Sequence, residues 1–307
     1  MGKIRKIALL FTAIFVAQFL ACNNSPKSDL KNAETQADTL KKEIQEAMPD
    51  TTSLEDELDY LDFPKLSIII DDFGNYNNFM KDSLLVKYGD LPSEVAFAIL
   101  PNLPYSQFVM EFFQFTDREL LLHAPLEPQN SKINAGEVVI KADDDAITII
   151  NKLNNFYSEL PNIQGLNNHM GSKATENIDV MTTIIEWCKS NELFFIDSAT
   201  SSKSIGFDIA MSSGINAAKR DIFLDVPDPS RKTVDSYLAK MQKYYKANRN
   251  ILVITHAHSL ERRDNLQYFI DECVKMGYKL TPVSEYCQRT RFNYEDKLQL
   301  SVSLAEF

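Results

Sequence analysis

KLSIIIDDFG, residues 65–74, is the stretch that decides the fold. Residues 66–70 are apolar or small and mostly β-branched, which is typical of a strand buried on both faces in a parallel sheet. The strand ends in two adjacent carboxylates, Asp71 and Asp72. In α/β folds, ligands bind at the carboxyl ends of parallel strands, where the loops are free to vary. Adjacent carboxylates repel each other, so the pair predicts a bound cation or a shared proton; a solvated turn is the alternative.

The size, hydrophobic content and net charge of the chain limit the kinds of partner that it can bind. The chain has 307 residues, 44% of them hydrophobic, which is enough for one large domain or two small ones with a buried core. The formal net charge is -11, which disfavours binding to the phosphate backbone of nucleic acids. The same acidity suits an acidic substrate or an anionic membrane surface poorly, and it is compatible with a neutral or cationic ligand or a bound metal.

The N-terminal residues are typical of a targeting segment. Basic residues precede an apolar run at residues 7–21, and Cys22 follows; this is the pattern of a secretory signal, and the run is short for a transmembrane span. Residues 19–22, FLAC, resemble the bacterial lipobox. That resemblance implies that residues 1–22 form a lipoprotein signal peptide in which Cys22 is acylated. Plain secretion with cleavage near Ala21, or an uncleaved anchor, is the alternative.

Residues 23–62 are predicted to form a polar tether. Lys, Asp, Glu, Thr and Gln dominate them, and such a stretch cannot bury enough apolar surface to offset its chain entropy. A tether of this length would let a folded domain search around a lipid anchor. We therefore expect the protein to be lipid-anchored in the cell envelope, on the periplasmic side of a bacterial membrane; the outer membrane is the favoured one, and the sequence leaves the choice of membrane open.

From residue 63 onward, short apolar runs alternate with longer amphipathic stretches. This alternation implies a parallel sheet with helices outside it, and we predict an α/β fold: a distorted, closed or nearly closed (β/α) barrel of about seven strands over residues 63–290. Residues 291–307 form a C-terminal tail without an assigned structure. The predicted strands are residues 66–70, 95–100, 119–122, 163–167, 193–196, 222–224, 250–255 and 279–282, and the predicted helices are residues 76–88, 104–115, 143–160, 175–191, 204–213, 230–248 and 260–276.

Polar residues follow the predicted strands. The chain contains four histidines, and each lies at or just past the end of an apolar run. Strand ends converge on one face of a barrel, so these residues become neighbours. Two neutral imidazoles and a carboxylate form the three-ligand set of a hydrolytic zinc site with one open position; a hydrogen-bonded core residue is the alternative for any single histidine. The residues are His123, His169, His256, His258, Asp71, Asp72, Asp197 and Asp225.

Seven segments carry a resemblance to a known family. They are IIIDDFG, VAFAILP, LLLHAPLEP, GLNNHMGS, FFIDSAT, RDIFLD and LTPVSEY, and together they span about residues 64–287. In these segments the chain resembles the divergent polysaccharide deacetylases. LLLHAPLEP and NNHMGS in this order are hard to obtain by chance. The resemblance implies a distorted (β/α) barrel related to the carbohydrate esterase deacetylases.

The resemblance also implies roles for individual residues. In better understood relatives, one Asp of the Asp-Asp pair is the catalytic base, the other holds a divalent metal with two His, and a late His is the general acid. Matched motif by motif, Asp71 would be the base, His256 the acid, and Asp72, His123 and His169 the ligands of a metal that we expect to be Zn²⁺. The relatives place both metal-binding His close together after one strand, whereas here they lie on successive strands.

Other polar residues near the strand ends are candidates for contacts to the ligands or to substrate. Asn168 and Ser172 could orient His169 or bind sugar hydroxyls. The late motif of this chain is THAH, whereas the family usually shows a single His after Gly. His258 is therefore open between a residue that supports the site and a surface residue.

An arginine and two further aspartates complete the candidates. Arg220 could pair with Asp71 or Asp221 and tune the base, and a purely structural Arg220–Asp221 ion pair is an equal alternative. Asp197 is a further candidate for the site, but the favoured interpretation is a helix N-cap together with Ser198.

Cysteine pairing stays open. Acylation of Cys22 would leave Cys188, Cys273 and Cys287, an odd number that implies no disulfide framework. A Cys273–Cys287 pair remains an option in an oxidising envelope.

Two function classes remain. The first is a metal-dependent deacetylase acting on an N-acetylated glycan of the envelope, with no nucleic acid partner. The second is a catalytically silent envelope lipoprotein that uses the barrel to bind glycan or a protein partner. Asp71 and His256 favour the first, because a binding module needs neither a base nor an acid. The oligomeric state is open.

Overall fold

A computed structural model describes residues 63–74 and 84–305. The predicted signal peptide, the lipidation of Cys22, the tether at residues 23–62 and part of the first predicted helix lie outside the described residues. The strands are β1 (Lys65–Phe73), β2 (Ala96–Ile99), β3 (Leu120–Leu126), β4 (Gly165–Met170), β5 (Phe194–Asp197), β6 (Ala217–Lys219), β7 (Ile222–Phe223), β8 (Ile251–His256) and β9 (Lys279–Leu280).

Helices follow most of the strands. They are α1 (Leu84–Gly89), α2 (Ser106–Phe113), α3 (Ala146–Glu159), α4 (Ile178–Ser190), α5 (Gly206–Ser213), α6 (Arg231–Lys246), α7 (Leu260–Met276) and α8 (Val283–Ala305), with a short 3₁₀ turn at Ala174–Glu176. Side-chain caps explain several of the starts. Asp145, Asn177, Ser230 and Ser259 each accept a hydrogen bond from a backbone N–H in the first turn of α3, α4, α6 and α7.

The strands form one curled, parallel sheet. Their order is β6-β5-β4-β3-β2-β1-β8-β7, with β9 also pairing with β1, and every strand pair is parallel. The two edge strands, β6 and β7, are consecutive in sequence, so the chain passes from one edge of the sheet to the other at residues 220–221. This confirms the predicted α/β, barrel-like fold. The prediction missed β6, whose sequence Ala-Ala-Lys has no β-branched residue.

Side chains alternate between two cores. Leu66, Ile68 and Ile70 of β1 pack outward against the helices, whereas Ile69 lies in a smaller cluster inside the curled sheet with alanines of β2 and β6. Val283 at the start of α8 packs into the same inner cluster and donates its backbone N–H to Glu119, just before β3. The inner core is therefore covered at the amino ends of the strands, and the carboxyl ends form the mouth.

Gly165 of β4 shows how tightly the inner core is packed. A Cβ at this position would collide with the ring of Phe194 on the neighbouring strand. Phe194 is itself buried in the inner cluster, so only glycine allows this ring to fill the space.

The structure decides a cysteine pairing that the sequence left open. Cys273 and Cys287 are both free and buried. They are separated because Cys273 packs in the outer core and Cys287 in the inner one.

Helix α8 continues through residue 290, where the sequence analysis placed the end of the barrel domain. Within residues 63–74 and 84–305, no helix is long and apolar enough to cross a membrane.

Candidate metal centre

One cleft at the mouth of the barrel collects polar side chains from many strand ends. Its volume is about 330 Å³. All four histidines line it, and so do three of the four strand-end aspartates, whereas Asp197 does not. The lining residues are Asp71, Asp72, His123, Asn168, His169, Met170, Ser198, Thr200, Phe223, Asp225, Val226, His256, His258 and Arg262.

Strand alternation explains why three of these side chains face the cleft. Each of three strands has a site residue two positions after a residue of the inner core, and residues two apart share a face. The site residues are Asp71, His123 and His256, and their inner-core counterparts are Ile69, Leu121 and Ile254. The site therefore continues the inner face of the barrel beyond its last apolar layer.

Asp72 is the exception, because a regular strand would turn it away from Asp71. The register of β1 with β2 shifts between Ile70 and Phe73, and Asp72 has a φ of 69°. This left-handed conformation is uncommon for residues other than glycine, and Asp tolerates it better than most. The irregularity aims Asp72 into the cleft beside Asp71, which is a frequent use of bulges near active sites.

The three predicted ligands meet in a tight triangle. Nε2 of His123 lies 3.3 Å from Oδ1 of Asp72, Nδ1 of His169 lies 3.1 Å from the same oxygen, and the two ring nitrogens are 3.1 Å apart. Neighbouring ligand atoms in a tetrahedral zinc site, with bonds of about 2.0–2.2 Å, lie about 3.3–3.6 Å apart. The triangle is therefore close to the size that one small divalent ion requires.

The chemistry of the triangle also fits a cation. Oδ1 of Asp72 is buried, and among the described residues it accepts no hydrogen bond of good geometry. Nδ1 of His123 lies 2.9 Å from Oδ1 of Asn167. An amide oxygen only accepts, so Nδ1 of His123 carries a proton and donates it; whenever the ring is neutral, Nε2 presents a lone pair toward Oδ1 of Asp72. Electron pairs that face each other in a buried site are satisfied by a bound metal ion.

Asn167 is a functional residue that the sequence analysis missed. Its Oδ1 holds His123, and its Nδ2 donates to Oδ1 of Asp71 at 2.8 Å. One buried amide thus orients both a ligand and the predicted base. The signal was present in the sequence as a run of polar residues, Asn167, Asn168 and His169, in a buried strand.

The pKa values of Asp71 and Asp72 are shifted in opposite directions. Burial raises the pKa of Asp71 above its ordinary value, and the neighbouring charges of His123 and His256 offset this only in part. Burial also opposes ionisation of Asp72, but contacts with His123, His169 and His258 outweigh it and hold the pKa of Asp72 well below its ordinary value. Paired groups with divergent pKa values are typical of divided acid–base roles.

His256 forms a dyad with Asp225. Its Nδ1 donates to the carboxylate at 3.0 Å, and Nε of Arg262 donates to the same carboxylate at 2.8 Å. Burial lowers the pKa of His256, but the hydrogen bond and charge of Asp225, with the charges of Asp71 and Asp72, outweigh it and raise the pKa to about 9. His256 is therefore held protonated near neutral pH, with its ring fixed through Nδ1.

The structure gives His258 and Asn168 defined hydrogen-bond partners, which the sequence did not specify. His258 lies in the cleft, with Nε2 2.8 Å from Oδ2 of Asp72, so it contacts a predicted ligand. Asn168 lines the cleft but accepts from the backbone N–H of Ser198 and donates to the carbonyl of Met170. It therefore ties β4 to the segment after β5.

Ser172, which was predicted to orient His169 or bind sugar, does neither among the described residues. Its hydroxyl accepts from the backbone N–H of Gln129 at 2.9 Å, because the turn after β4 packs on the loop after β3. Asp197 accepts from the hydroxyl of Ser204 and from the backbone N–H of Phe207 in the first turn of α5. It caps that helix, with Ser204 rather than Ser198 as its hydroxyl partner.

The predicted pairs of Arg220 are wrong. Its guanidinium donates to the backbone carbonyls of Ser198 and Ala199 and lies 3.7 Å above the ring of Phe223. Asp221 instead pairs with Arg249. The chain crosses between the edges of the sheet at these two residues, so their side chains diverge, and Arg220 forms no described ion pair with Asp71 or Asp221.

Comparison with known proteins identifies the family of this chain and two of its relatives. The sequence profile of the divergent polysaccharide deacetylase family matches residues 68–287. A Haemophilus influenzae protein described as uncharacterized is 32% identical over 162 residues, covering 52% of this chain and 55% of the relative. YibQ of Escherichia coli K12, also described as uncharacterized, is 31% identical over 164 residues, covering 52% and 49%. The chain thus aligns with about half the length of these curated relatives.

A solved structure supports the fold. An uncharacterized protein from Agrobacterium tumefaciens C58 superposes with a TM-score of 0.64 at 21% identity, covering 73% of this chain and 89% of that one. At this identity the similarity shows the curled parallel sheet with its helices, and the chemistry has to be argued from the cleft itself.

Proposed function

The chain belongs to the divergent polysaccharide deacetylase family, and from that premise we propose that it is a metal-dependent hydrolase that removes acetyl groups from an N-acetylated envelope polysaccharide. One observation carries the proposal. A single cleft holds a three-atom ligand set, a buried carboxylate beside it, and a histidine whose Nδ1 is fixed by a second carboxylate. A surface that only binds glycan has no need of this combination.

The proposed ligands are Asp72, His123 and His169, with Zn²⁺ as the proposed ion because two imidazoles and one carboxylate suit it and leave a position open. When bound, a divalent ion polarises the acyl oxygen and lowers the pKa of a water molecule. His123 is kept in the tautomer that offers Nε2, because Asn167 accepts from Nδ1.

Asp71 is the proposed base. Its Oδ1 is occupied by Asn167, so Oδ2, which lies 3.6 Å from Nε2 of His123, is the oxygen left to take a proton from the attacking water. A carboxylate fixed by a hydrogen bond and adjacent to the ligand set meets the geometric demand on a general base.

His256 is the proposed acid. An amine leaves poorly as an anion, so amide cleavage requires a proton at the nitrogen as the C–N bond breaks. Asp225 holds the ring through Nδ1, and Nε2 delivers the proton. Asp71 takes one proton from the water and His256 gives one to the nitrogen, so hydrolysis yields a free amine and acetic acid, which then ionises to acetate.

The proposed location follows from residues 1–62. We propose that Cys22 carries a lipid and that residues 23–62 tether the barrel to the periplasmic side of a bacterial membrane, specifically the outer membrane. Such a tether would confine the barrel to the region in which envelope glycans lie. The expected partners are a glycan substrate and the membrane.

Acetate release tests the proposal. The full chain, solubilised in detergent and stripped of metal, is incubated with acetylated chito-oligomers or peptidoglycan, with and without added Zn²⁺. We expect acetate only with metal, and we expect D71N to lose at least about 100-fold in rate while keeping its fold by circular dichroism. Tight metal binding without acetate release from any of these substrates would favour a binding protein instead.

A further inference from the structure

We propose that His258 is a positioning residue of the metal site: it donates Nε2–H to Oδ2 of Asp72 and so commits Oδ1 of that carboxylate to the ion. This inference rests on the metal site of the proposed function. It assigns a role to the second histidine of the motif THAH, at residues 255–258.

The backbone fixes the place of His258. The N–H of Ala257 donates to the carbonyl of Asp71 at 2.9 Å, and the N–H of His258 donates back to the carbonyl of His256 at 2.9 Å. The second bond joins residues two apart and closes a γ-type turn at the end of β8. The turn reverses the chain around the buried Ala257, so both histidines of the motif reach the cleft and His258 reaches Asp72.

The two oxygens of Asp72 are divided between different partners. Oδ1 faces the ring nitrogens of His123 and His169 at 3.3 and 3.1 Å, whereas Oδ2 meets Nε2 of His258 at 2.8 Å. A hydrogen bond to a carboxylate is short and strong, and this one prevents the carboxylate from rotating and from offering both oxygens to the ion. His258 therefore selects a single-oxygen ligand and keeps the coordination number low.

His258 acts through Asp72 and is not itself a ligand. Among residues 63–74 and 84–305, the atoms that are close enough to share an ion belong to Asp72, His123 and His169. Nε2 of His258 is engaged with the oxygen that does not face the triangle. Its side chain is 32% exposed, so replacing it does not open a cavity in the core.

Metal affinity tests this role without reference to turnover. The full chain and its variants are stripped of metal and titrated with Zn²⁺ against a chromophoric chelator. We expect H258A to bind Zn²⁺ about 10- to 100-fold more weakly than the wild type, which is the usual loss when a partner of a metal ligand is removed. H258Q keeps an N–H donor at a similar reach and is expected to recover most of the affinity.

A matched control removes a cleft side chain that contacts no ligand. V226A is expected to bind Zn²⁺ within about twofold of the wild type, since Val226 is an apolar, half-exposed residue of the cleft lining. Thermal unfolding of the metal-free variants checks that each is folded. A visible spectrum of the Co²⁺-loaded protein that changes in H258A and returns in H258Q would report the altered carboxylate ligation directly.

The outcomes separate the two proposals. Unchanged affinity in H258A, equally weak binding by H258A and H258Q, or no metal binding by the wild type would each overturn the role of His258. Tight, His258-dependent binding without acetate release would leave that role intact and count against the deacetylase.

Discussion

Asp71 and His256 are register partners on the adjacent parallel strands β1 and β8. The distance between the proposed base and the proposed acid is therefore set by the backbone hydrogen bonds of the sheet and not by the conformation of a loop. Sites built on strands are held more accurately than sites on loops.

The basic limb of the pH–rate profile should lie near pH 9. His256 must be protonated to act as an acid, and its pKa of about 9 means that the protonated form dominates below that pH and is lost as the pH rises through it. Asp225 contacts the ring and is itself contacted by Arg262, and the charges of Asp71 and Asp72 also act on the ring. Removing the charge of Asp225 by D225N should move the limb downward, toward the ordinary histidine pKa of about 6.5.

The measurement is kcat/KM for acetate release as a function of pH at saturating Zn²⁺. An unchanged basic limb in D225N would show that Asp225 does not hold the proton on His256. A limb that moves up would reverse the sign of the proposed effect.

N167A should weaken metal binding and destabilise the fold together. The substitution leaves Nδ1 of His123 and Oδ1 of Asp71 without their amide partner. Losing a buried partner costs about 1–3 kcal/mol in unfolding free energy, and losing the orientation of a ligand weakens metal affinity by about 10- to 100-fold. Urea unfolding and chelator competition measure the two effects. The matched control is S172A on the next turn of chain, which should leave Zn²⁺ affinity unchanged because Ser172 contacts Gln129.

Zinc should stabilise the wild type against unfolding but not D72N. At about 100 times its Kd, a ligand specific for the native state adds about 2.7 kcal/mol. Asn tolerates the left-handed backbone at this position as Asp does, so D72N removes a ligand charge without forcing a new backbone. Thermal unfolding with and without Zn²⁺ gives the comparison. D225N is the control, since it makes the same chemical change in the same cleft and should still be stabilised; equal stabilisation of D72N would exclude Asp72 as a ligand.

G165A should be destabilised by overpacking. The added methyl group meets the ring of Phe194 in the inner core, and overpacking of this kind typically costs about 1–3 kcal/mol. Urea unfolding of the variant measures the loss. The double variant G165A/F194L makes room for the methyl group and should recover part of it; a double variant less stable than the sum of the two single changes would contradict this packing.

The architecture was readable from the sequence because it depends on local patterns. Buried runs such as Ile68–Ile70 mark strands, and the spacing between runs predicts helices, so the predicted helices after residue 100 begin and end within about three residues of those in the structure. Convergence of strand-end residues is a property of parallel sheets in general. The ligand cluster of Asp72, His123 and His169 follows from that rule.

The hydrogen-bond partners of polar residues near the cleft could not be predicted from the sequence. Arg220 turned to backbone carbonyls and Ser172 to a neighbouring loop, because their directions depend on how the chain crosses between sheet edges and on the path of the turn after β4. Asn167 gave no distinct signal beside Asn168, since one residue of register decides which amide faces inward. Short strands such as β6 carry too little pattern to be recognised.

The left-handed backbone at Asp72 has an evolutionary consequence. Two independent demands fall on this residue: a conformation that only Gly, Asn and Asp adopt readily, and an anionic oxygen for a cation. Drift that abolished the chemistry would relax the second demand and leave the first. Homologues with Asn or Gly at this position should therefore keep the barrel fold but no longer bind the metal ion. The residue at this one position could then distinguish active hydrolases from inactive homologues in a survey of natural variants.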